Sequence, residues 1–182
     1  MTNVYETGRL ILRVLDSNYY RQVLHFLDSN KTLFDTYERD KPDDYYTPLY
    51  QQQVTACEYN LIQKRQHLRL YVFLPSNPNK IIGTVSFSNF KKFPVRSCEI
   101  GYKFDPDYHH HGYALETIEK ALDIILTEYD MHKIYAYVQP VNIPSIHLLE
   151  RMGFERKTLI PEYAVINGVA KDHYQYVYNS RL

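Results

Sequence analysis

The hydrophobic period of the chain changes between Ser97 and Ile125, and this change limits the possible folds more than any other feature. Residues 97–104 (SCEIGYKF) have the composition of a β-strand. After Gly112, apolar residues recur at helical spacing, at Ala114, Ile118, Ala121, Leu122 and Ile125. The segment therefore predicts a strand that ends in a short loop and leads directly into a long amphipathic helix.

The first turn of that helix is a predicted anion site. It offers backbone N–H groups without helical acceptors, together with the positive end of the helix dipole. Gly112 and Ala114 are small enough for a phosphate to approach the main chain, and a pyrophosphate would fit. The spacing alone leaves a second interpretation open, in which Gly112 only starts the helix. Neither a Walker A motif nor GxGxxG is present, which excludes P-loop and Rossmann sites.

The rest of the chain alternates between strand and helix patterns. Predicted strands cover 8–14, 68–73, 81–87, 133–138 and 154–159, and a hairpin covers 163–178 around Asn167-Gly168. Helices are predicted from Asp16 or Ser17 through Leu27, over 50–66 and over 145–152, with loop or short helix over 31–47. Short connections between neighbouring strands indicate an α/β or α+β fold with a mixed, mostly antiparallel sheet flanked by helices. We expect one domain over residues 1–182.

Composition excludes several classes of protein. The chain has 21 basic and 21 acidic residues, so net charge gives no attraction to nucleic acid or to anionic lipid. Cys57 and Cys98 lie far apart without CxxC spacing, which argues against a zinc ribbon or a disulfide framework. Residues 1–8 lack a signal-peptide pattern, and no long apolar run predicts a membrane span. We expect a cytoplasmic protein that captures any anion locally.

Three ordered motifs resemble those of the GNAT N-acetyltransferase superfamily. They are Glu-Ile-Gly-Tyr at 99–102, His109-x-x-Gly112-x-Ala114, and Asn142-x-x-Ser145 followed by Leu-Leu-Glu-Arg-Met-Gly-Phe at 148–154. The opening Gly-Arg-Leu-Ile-Leu-Arg at 8–13, Tyr-Tyr-Thr at 45–47 and the late Asn167-Gly168 further resemble the RimJ/RimL branch. The best-known members of that branch acetylate N-terminal amines of ribosomal proteins, and the resemblance covers nearly the whole chain.

The resemblance implies acetyl-CoA as the acetyl donor. Its pyrophosphate would bind the main-chain amides of the helix start, and its pantetheine arm would follow the preceding strand and contact Asn142. The residues implied in binding acetyl-CoA are Tyr102, Lys103, Phe104, His109, His110, His111, Gly112, Tyr113, Ala114, Asn142 and Ser145.

The run His109-His110-His111 departs from the family pattern, which usually has Gln, Arg or an aromatic residue first and often a glycine second. Main-chain amides can still bind the phosphates, and three imidazoles would add a pH-dependent attraction. A metal site is disfavoured because consecutive residues cannot all converge on one ion. We therefore expect no metal cofactor.

Acetyl transfer from a thioester requires a neutral amine and stabilisation of the leaving thiolate. The resemblance implies Glu99 as the general base, acting directly or through water, and Ser145 as the proton donor. Many superfamily members use a tyrosine four residues later, where this chain has Leu149. From the residues alone, Glu99 could equally be a solvent-facing strand residue, and Asn142 could be a helix N-cap.

The acceptor amine is less closely defined by the sequence. Candidate acceptor contacts are Phe34, Tyr37, Glu38, Tyr45 and Tyr46, and the carboxylates between Asp35 and Asp44 could attract a cationic partner. A protein N-terminus, such as that of a ribosomal protein, fits this pattern. A polyamine, an aminoglycoside or an amino acid remains open, as does a non-catalytic CoA-binding module. We expect a monomer or a homodimer.

Overall fold

The computed structural model describes residues 3–180, which form one eight-stranded sheet with five α-helices. The predicted domain, 1–182, includes two residues at each end that lie outside the described residues. The strands are β1 (Val4–Glu6), β2 (Ile11–Arg13), β3 (Leu68–Leu74), β4 (Asn77–Lys91), β5 (Ser97–Phe104), β6 (Lys133–Val138), β7 (Glu155–Ile166) and β8 (Val169–Asn179). The helices are α1 (Tyr20–Ser29), α2 (Lys31–Tyr37), α3 (Pro48–Gln63), α4 (Tyr113–Thr127) and α5 (Ile143–Arg151).

The order of the strands confirms the predicted mixed, mostly antiparallel sheet. It is β1-β2-β3-β4-β5-β6-β8-β7, and every neighbouring pair is antiparallel except β5 and β6. The parallel pair follows from the long connection through α4, since parallel strands need a crossover. Within residues 3–180, no helix combines the length and hydropathy that crossing a membrane requires.

Strands β5 and β6 pair over three residues only and then separate. The pairs are Ser97 with Lys133, Cys98 with Ile134 and Glu99 with Tyr135. Beyond these pairs β5 continues to Phe104 and β6 to Val138, but within the described residues the two strands no longer pair with each other. The sheet therefore has a gap at its centre, next to the loops that lead into α4 and α5.

Alternation along the strands sends side chains to two different cores. In β3, Leu70 and Val72 lie in the larger core with α4 and α5, whereas Tyr71 and Phe73 lie in the smaller core with α1 and α2. In β5, Cys98, Ile100 and Phe104 belong to the larger core. Glu99 and Lys103 consequently face the side of α1 and α2.

Several predicted elements differ in their bounds. The strand predicted over 8–14 is β2, and it begins at Ile11 instead of Gly8. Residues 7–10 form a turn in which the Thr7 N–H donates to the Leu10 carbonyl. Strand β7 runs unbroken over the predicted gap at 160–162, with irregular pairing between Ile160 and Ala164. The three-residue β1 was not predicted, since it is too short to show a period.

Candidate active site

The helix that follows β5 begins at Tyr113, immediately after a left-handed loop. Gly112 is the N-cap with φ +77°, and His110 has φ +63°. The Glu116 N–H donates to the Gly112 carbonyl at 3.1 Å, so the amides before it have no acceptor in the helix. The predicted anion-binding geometry of this 15-residue helix is thus present.

The N-terminal segment of the chain holds this helix start in place. Glu116 accepts from the Thr7 hydroxyl at 2.6 Å, from the Arg9 N–H at 2.9 Å and from Arg9 Nε at 2.7 Å. Arg9 Nη1 also donates to the His111 carbonyl at 2.9 Å. Although partial burial opposes it, these hydrogen bonds lower the pKa of Glu116. The Gly8-Arg9 motif in the sequence did not predict this anchoring role.

An open cavity of about 560 Å³ adjoins the start of α4. It contains two guanidinium groups, from Arg9 and from Arg151 in the last turn of α5. Its lining residues are Gly8, Arg9, Gly112, Leu115, Glu116, Glu119 and Arg151. The positive helix end and Arg151 favour a phosphate here, whereas the charge of Arg9 is balanced by its ion pair with Glu116.

The three consecutive histidines do not converge on one point, although the rings of His109 and His110 meet edge to face with centres 6.3 Å apart. His109 Nε2 lies 3.2 Å from the Phe104 carbonyl oxygen, and the His111 ring stacks on Tyr113 with ring centres 5.5 Å apart. Across residues 3–180, no cluster of three or more His, Cys, Asp or Glu side chains has the geometry of a metal site. Their rings therefore shape the loop, while its amides remain the groups available to an anion.

Three predicted site residues meet across the central gap of the sheet. The Ser145 N–H donates to Asn142 Oδ1 at 3.3 Å, so Asn142 is the N-cap of α5. The hydroxyl groups of Tyr102 and Ser145 are hydrogen-bonded at 2.7 Å. Burial raises the pKa of Tyr102 to about 12, against the lowering effect of that bond. Leu149 is 1% exposed and belongs to the core.

Glu99 lies on the opposite face of β5, in a polar cavity of about 260 Å³. The lining residues are Asn89, Lys91, Ser97, Cys98, Glu99, Tyr135, Tyr137 and Gln175. Within the described chain its carboxylate has neither an ion pair nor a hydrogen bond, so both oxygens are available to a ligand. Burial raises the pKa of the neighbouring Cys98 thiol to about 12, which makes that cysteine a poor nucleophile.

An aromatic stack near Glu99 was not predicted from the sequence. The rings of Tyr137 and Tyr163 are parallel within 17° and their centres lie 4.5 Å apart. The Arg39 guanidinium lies over the Tyr163 ring at 4.9 Å. Burial and the negative charge of Glu99 both raise the pKa of Tyr163. No local signal could have identified this stack, because β6 and β7 become neighbours of β8 only in the folded sheet.

The five predicted acceptor contacts do not line the Glu99 cavity. Phe34 is buried in the smaller core, and Glu38 pairs with Lys103 at 2.6 Å and Lys41 at 3.0 Å. Those ammonium groups hold the pKa of Glu38 low despite its burial. Tyr46 donates to Asp35 at 2.7 Å, and Tyr45 packs on its ring. Tyr37 is the last residue of α2.

Two of the five carboxylates predicted to attract a cation, Asp35 and Glu38, are ion-paired within the chain. Asp35 pairs with Lys31 and Lys41, and Glu38 with Lys41 and Lys103. Asp40 accepts the backbone N–H groups of Asn167 and Gly168 at 2.5 and 2.9 Å. These contacts tie the loop after α2 to the β7–β8 turn, and they leave Glu99 as the carboxylate that the cavity presents.

The sheet is split at its centre, with a helix start whose geometry suits an anion on one side and the Glu99 carboxylate on the other. Residues 9–155 match the model of the acetyltransferase (GNAT) domain, and the chain belongs to this family. The resemblance expected from the three motifs is confirmed, as is the enzyme class, an acetyl-CoA-dependent N-acetyltransferase.

Curated relatives cover most of the chain. It is 27% identical over 164 residues to the probable N-acetyltransferase YjcK of Bacillus subtilis, with 90% of each chain covered. It is 25% identical over 174 residues to the [ribosomal protein uS5]-alanine N-acetyltransferase of Escherichia coli, covering 92% of this chain and 86% of that one. It is 28% identical over 165 residues to the spermidine N(1)-acetyltransferase of Vibrio cholerae, covering 91% and 90%.

Solved structures share the fold. The ribosomal-protein-S5-alanine acetyltransferase of Vibrio fischeri superimposes with a TM-score of 0.91 at 24% identity, covering 97% of this chain and 96% of that one. RimJ of Mycobacterium smegmatis, in complex with CoA-disulfide, gives 0.86 at 20% identity, covering 94% and 82%. The predicted fold class is therefore confirmed.

Proposed function

We propose that this chain transfers the acetyl group of acetyl-CoA to the α-amine of a protein or peptide. The observation that carries the proposal is the free Glu99 carboxylate in a small polar cavity beside the gap between β5 and β6. Its position allows one amine to approach from the side of α1 and α2 while the donor binds from the side of α4. The uS5-alanine acetyltransferase relative supports a ribosomal protein as acceptor.

The charges around the cavity favour a peptide over a polyamine. A polyamine carries several ammonium groups, whereas the cavity lining has one carboxylate and one ammonium, Glu99 and Lys91. The amide side chains of Asn89 and Gln175 suit the polar main chain of a peptide. Asp35 and Glu38 are already paired with lysines, so these two carboxylates offer little attraction to a polycation.

The ionisation of the acceptor points the same way. With reference pKa values near 7.8 and 10.4, about a third of an α-amine but only about 0.1% of a lysine amine is neutral at pH 7.5. Deprotonation by Glu99 is therefore needed for a smaller fraction of α-amine molecules than of lysine amines. A single carboxylate is sufficient for that task.

We assign donor binding to the start of α4 and to the gap. The amides around Gly112 bind the pyrophosphate, and Arg151 adds positive charge in the same cavity, where Arg9 pairs with Glu116. The main chain of residues 102–104, which β6 leaves unpaired, offers hydrogen bonds to the pantetheine amides. Asn142 and Ser145 lie next to the place where the thioester of acetyl-CoA would bind.

The reaction proceeds by direct attack of the amine on the thioester carbonyl. Glu99 accepts a proton from the bound ammonium, directly or through water, and the neutral amine then forms the C–N bond. The C–S bond then breaks, and the thiolate accepts a hydrogen bond from Ser145. It takes up the proton that the attacking nitrogen releases, which gives the amide and the CoA thiol. Cys98 is a poor candidate for an acyl-enzyme, because burial raises the pKa of its thiol to about 12. We propose the cytoplasm as the location and either a monomer or a homodimer as the state.

Acetyl-CoA is expected to raise the melting temperature of the protein by about 5–10 °C at a hundred times its dissociation constant. A ligand that binds only the native state adds about 2.7 kcal/mol at that concentration, and about 2–4 °C follows per kcal/mol in a chain of this size. Differential scanning fluorimetry with acetyl-CoA, and with dephospho-CoA as a comparison, measures this. An unchanged melting temperature at millimolar acetyl-CoA would contradict donor binding.

The acceptor class is tested by thiol release from acetyl-CoA with a panel of amines. The panel contains peptides that differ in their first residue, the same peptides with blocked α-amines, spermidine and an aminoglycoside. The proposal requires the highest kcat/KM for free peptide N-termini. Turnover confined to spermidine or the aminoglycoside would establish a small-amine enzyme instead, and acetyl-CoA binding without turnover of any amine would indicate a sensor.

A further inference from the structure

Tyr102 connects the two halves of the sheet at the point where they separate. It lies on β5 past the last residue that pairs with β6, and its ring packs against the larger core on the side of α5. Its hydroxyl reaches Ser145 Oγ at 2.7 Å, while the amide of Ser145 is held by Asn142 at 3.3 Å. Ser145 is therefore fixed from both the strand and the helix cap.

We infer that Tyr102 is a positioning residue that makes Ser145 a hydrogen-bond donor to the leaving thiolate. The inference rests on the proposed function. Either hydroxyl can donate across this 2.7 Å contact. A serine hydroxyl has one proton, so Ser145 can direct it to the sulfur and keep the contact only if the phenol is the donor. The phenol of Tyr102 supplies this bond, so it donates to Ser145 and Ser145 donates to the sulfur.

The acidity of the phenol decides between positioning and proton transfer. A thiol has a reference pKa near 8.5, whereas that of buried Tyr102 is raised to about 12. Moving the Tyr102 proton through Ser145 to the thiolate would thus run uphill by more than three powers of ten. Both hydroxyl protons consequently stay in place, and the pair stabilises the thiolate through hydrogen bonding alone.

The test is a double-mutant cycle of Tyr102→Phe and Ser145→Ala, followed by single-turnover acetyl transfer to the best peptide. Ser145→Ala is expected to slow the step about thirtyfold, as loss of a hydrogen bond to a charged group does. Tyr102→Phe is expected to slow it about tenfold, with the dissociation constant of acetyl-CoA unchanged within about twofold. The double variant should be no slower than Ser145→Ala, because Tyr102 acts only through that serine.

Tyr176→Phe is the matched control. Tyr176 is fully buried, and its hydroxyl donates to Glu150 of the same helix α5 at 2.9 Å. It should reproduce any general loosening of α5 without slowing transfer. Additive losses in the double variant, an unaltered rate in Tyr102→Phe or an equal loss in Tyr176→Phe would each overturn the inference. Absence of turnover in the unmodified enzyme would instead contradict the proposed function on which it rests.

Discussion

Gly112→Val is expected to weaken acetyl-CoA binding by at least about a hundredfold. Gly112 has φ +77°, and a Cβ there would lie 3.3 Å from Arg9 Nη2. A branched side chain would both displace the loop and occupy the space where a phosphate meets the amides of α4. Loss of two hydrogen bonds to a charged group, at about 1.5 kcal/mol each, already gives that factor. Isothermal titration calorimetry with acetyl-CoA measures it.

Gly168→Val controls for backbone strain. Gly168 has φ +72° in the turn between β7 and β8, and a Cβ added there would have no other atom within 4 Å. Both variants should lose about 1–2 kcal/mol of stability, since both place an L side chain in the left-handed region. Only Gly112→Val should lose donor binding. Equal acetyl-CoA affinity in the two proteins would mean that the start of α4 is not the phosphate site.

Glu99→Gln is expected to lower the rate of acetyl transfer about a hundredfold at pH 6.5 or below, with the loss shrinking as the pH rises. The amide keeps the shape of the side chain but cannot accept the amine proton, and general bases typically contribute this much. Above pH 8, near and beyond the pKa of an α-amine, most acceptor is already neutral and needs less help. A pH profile of kcat/KM for the peptide measures the recovery.

Glu6→Gln, on the exposed face of β1, is the control and should leave the profile unchanged. If Glu99→Gln lost the same factor at every pH, Glu99 would act in binding or folding and not as a base. A normal KM for acetyl-CoA in Glu99→Gln is also required, because Glu99 lies on the face of β5 opposite Tyr102 and Ser145.

Local sequence signals predicted the elements that build the site. The change of period at Gly112 placed the loop and α4, and Asn167-Gly168 placed a tight hairpin turn whose two residues both have positive φ. These features depend on neighbours in the sequence, so a single chain is enough to identify them. The resemblance then ordered them into a known fold.

Contacts between distant segments could not be predicted in this way. Arg9 and Glu116 are 107 positions apart, and Tyr102 and Ser145 are 43 apart. Each pair meets only because the sheet order brings their elements together. The acidic loop after α2 shows the consequence, since its charge suggested a cationic partner, whereas Lys103 from β5 already neutralises Glu38.

The central claim is that the chain acetylates α-amines, and the position of the acetyl group on a peptide tests it most directly. A peptide with a free N-terminus and an internal lysine is incubated with acetyl-CoA and the enzyme at pH 7.5, and fragment masses locate the modification. We expect acetyl on the α-amine, with the lysine unmodified and with less product from Glu99→Gln in the same time. Acetyl on the lysine side chain, or an unmodified peptide beside acetylated spermidine in a mixed reaction, would contradict the claim.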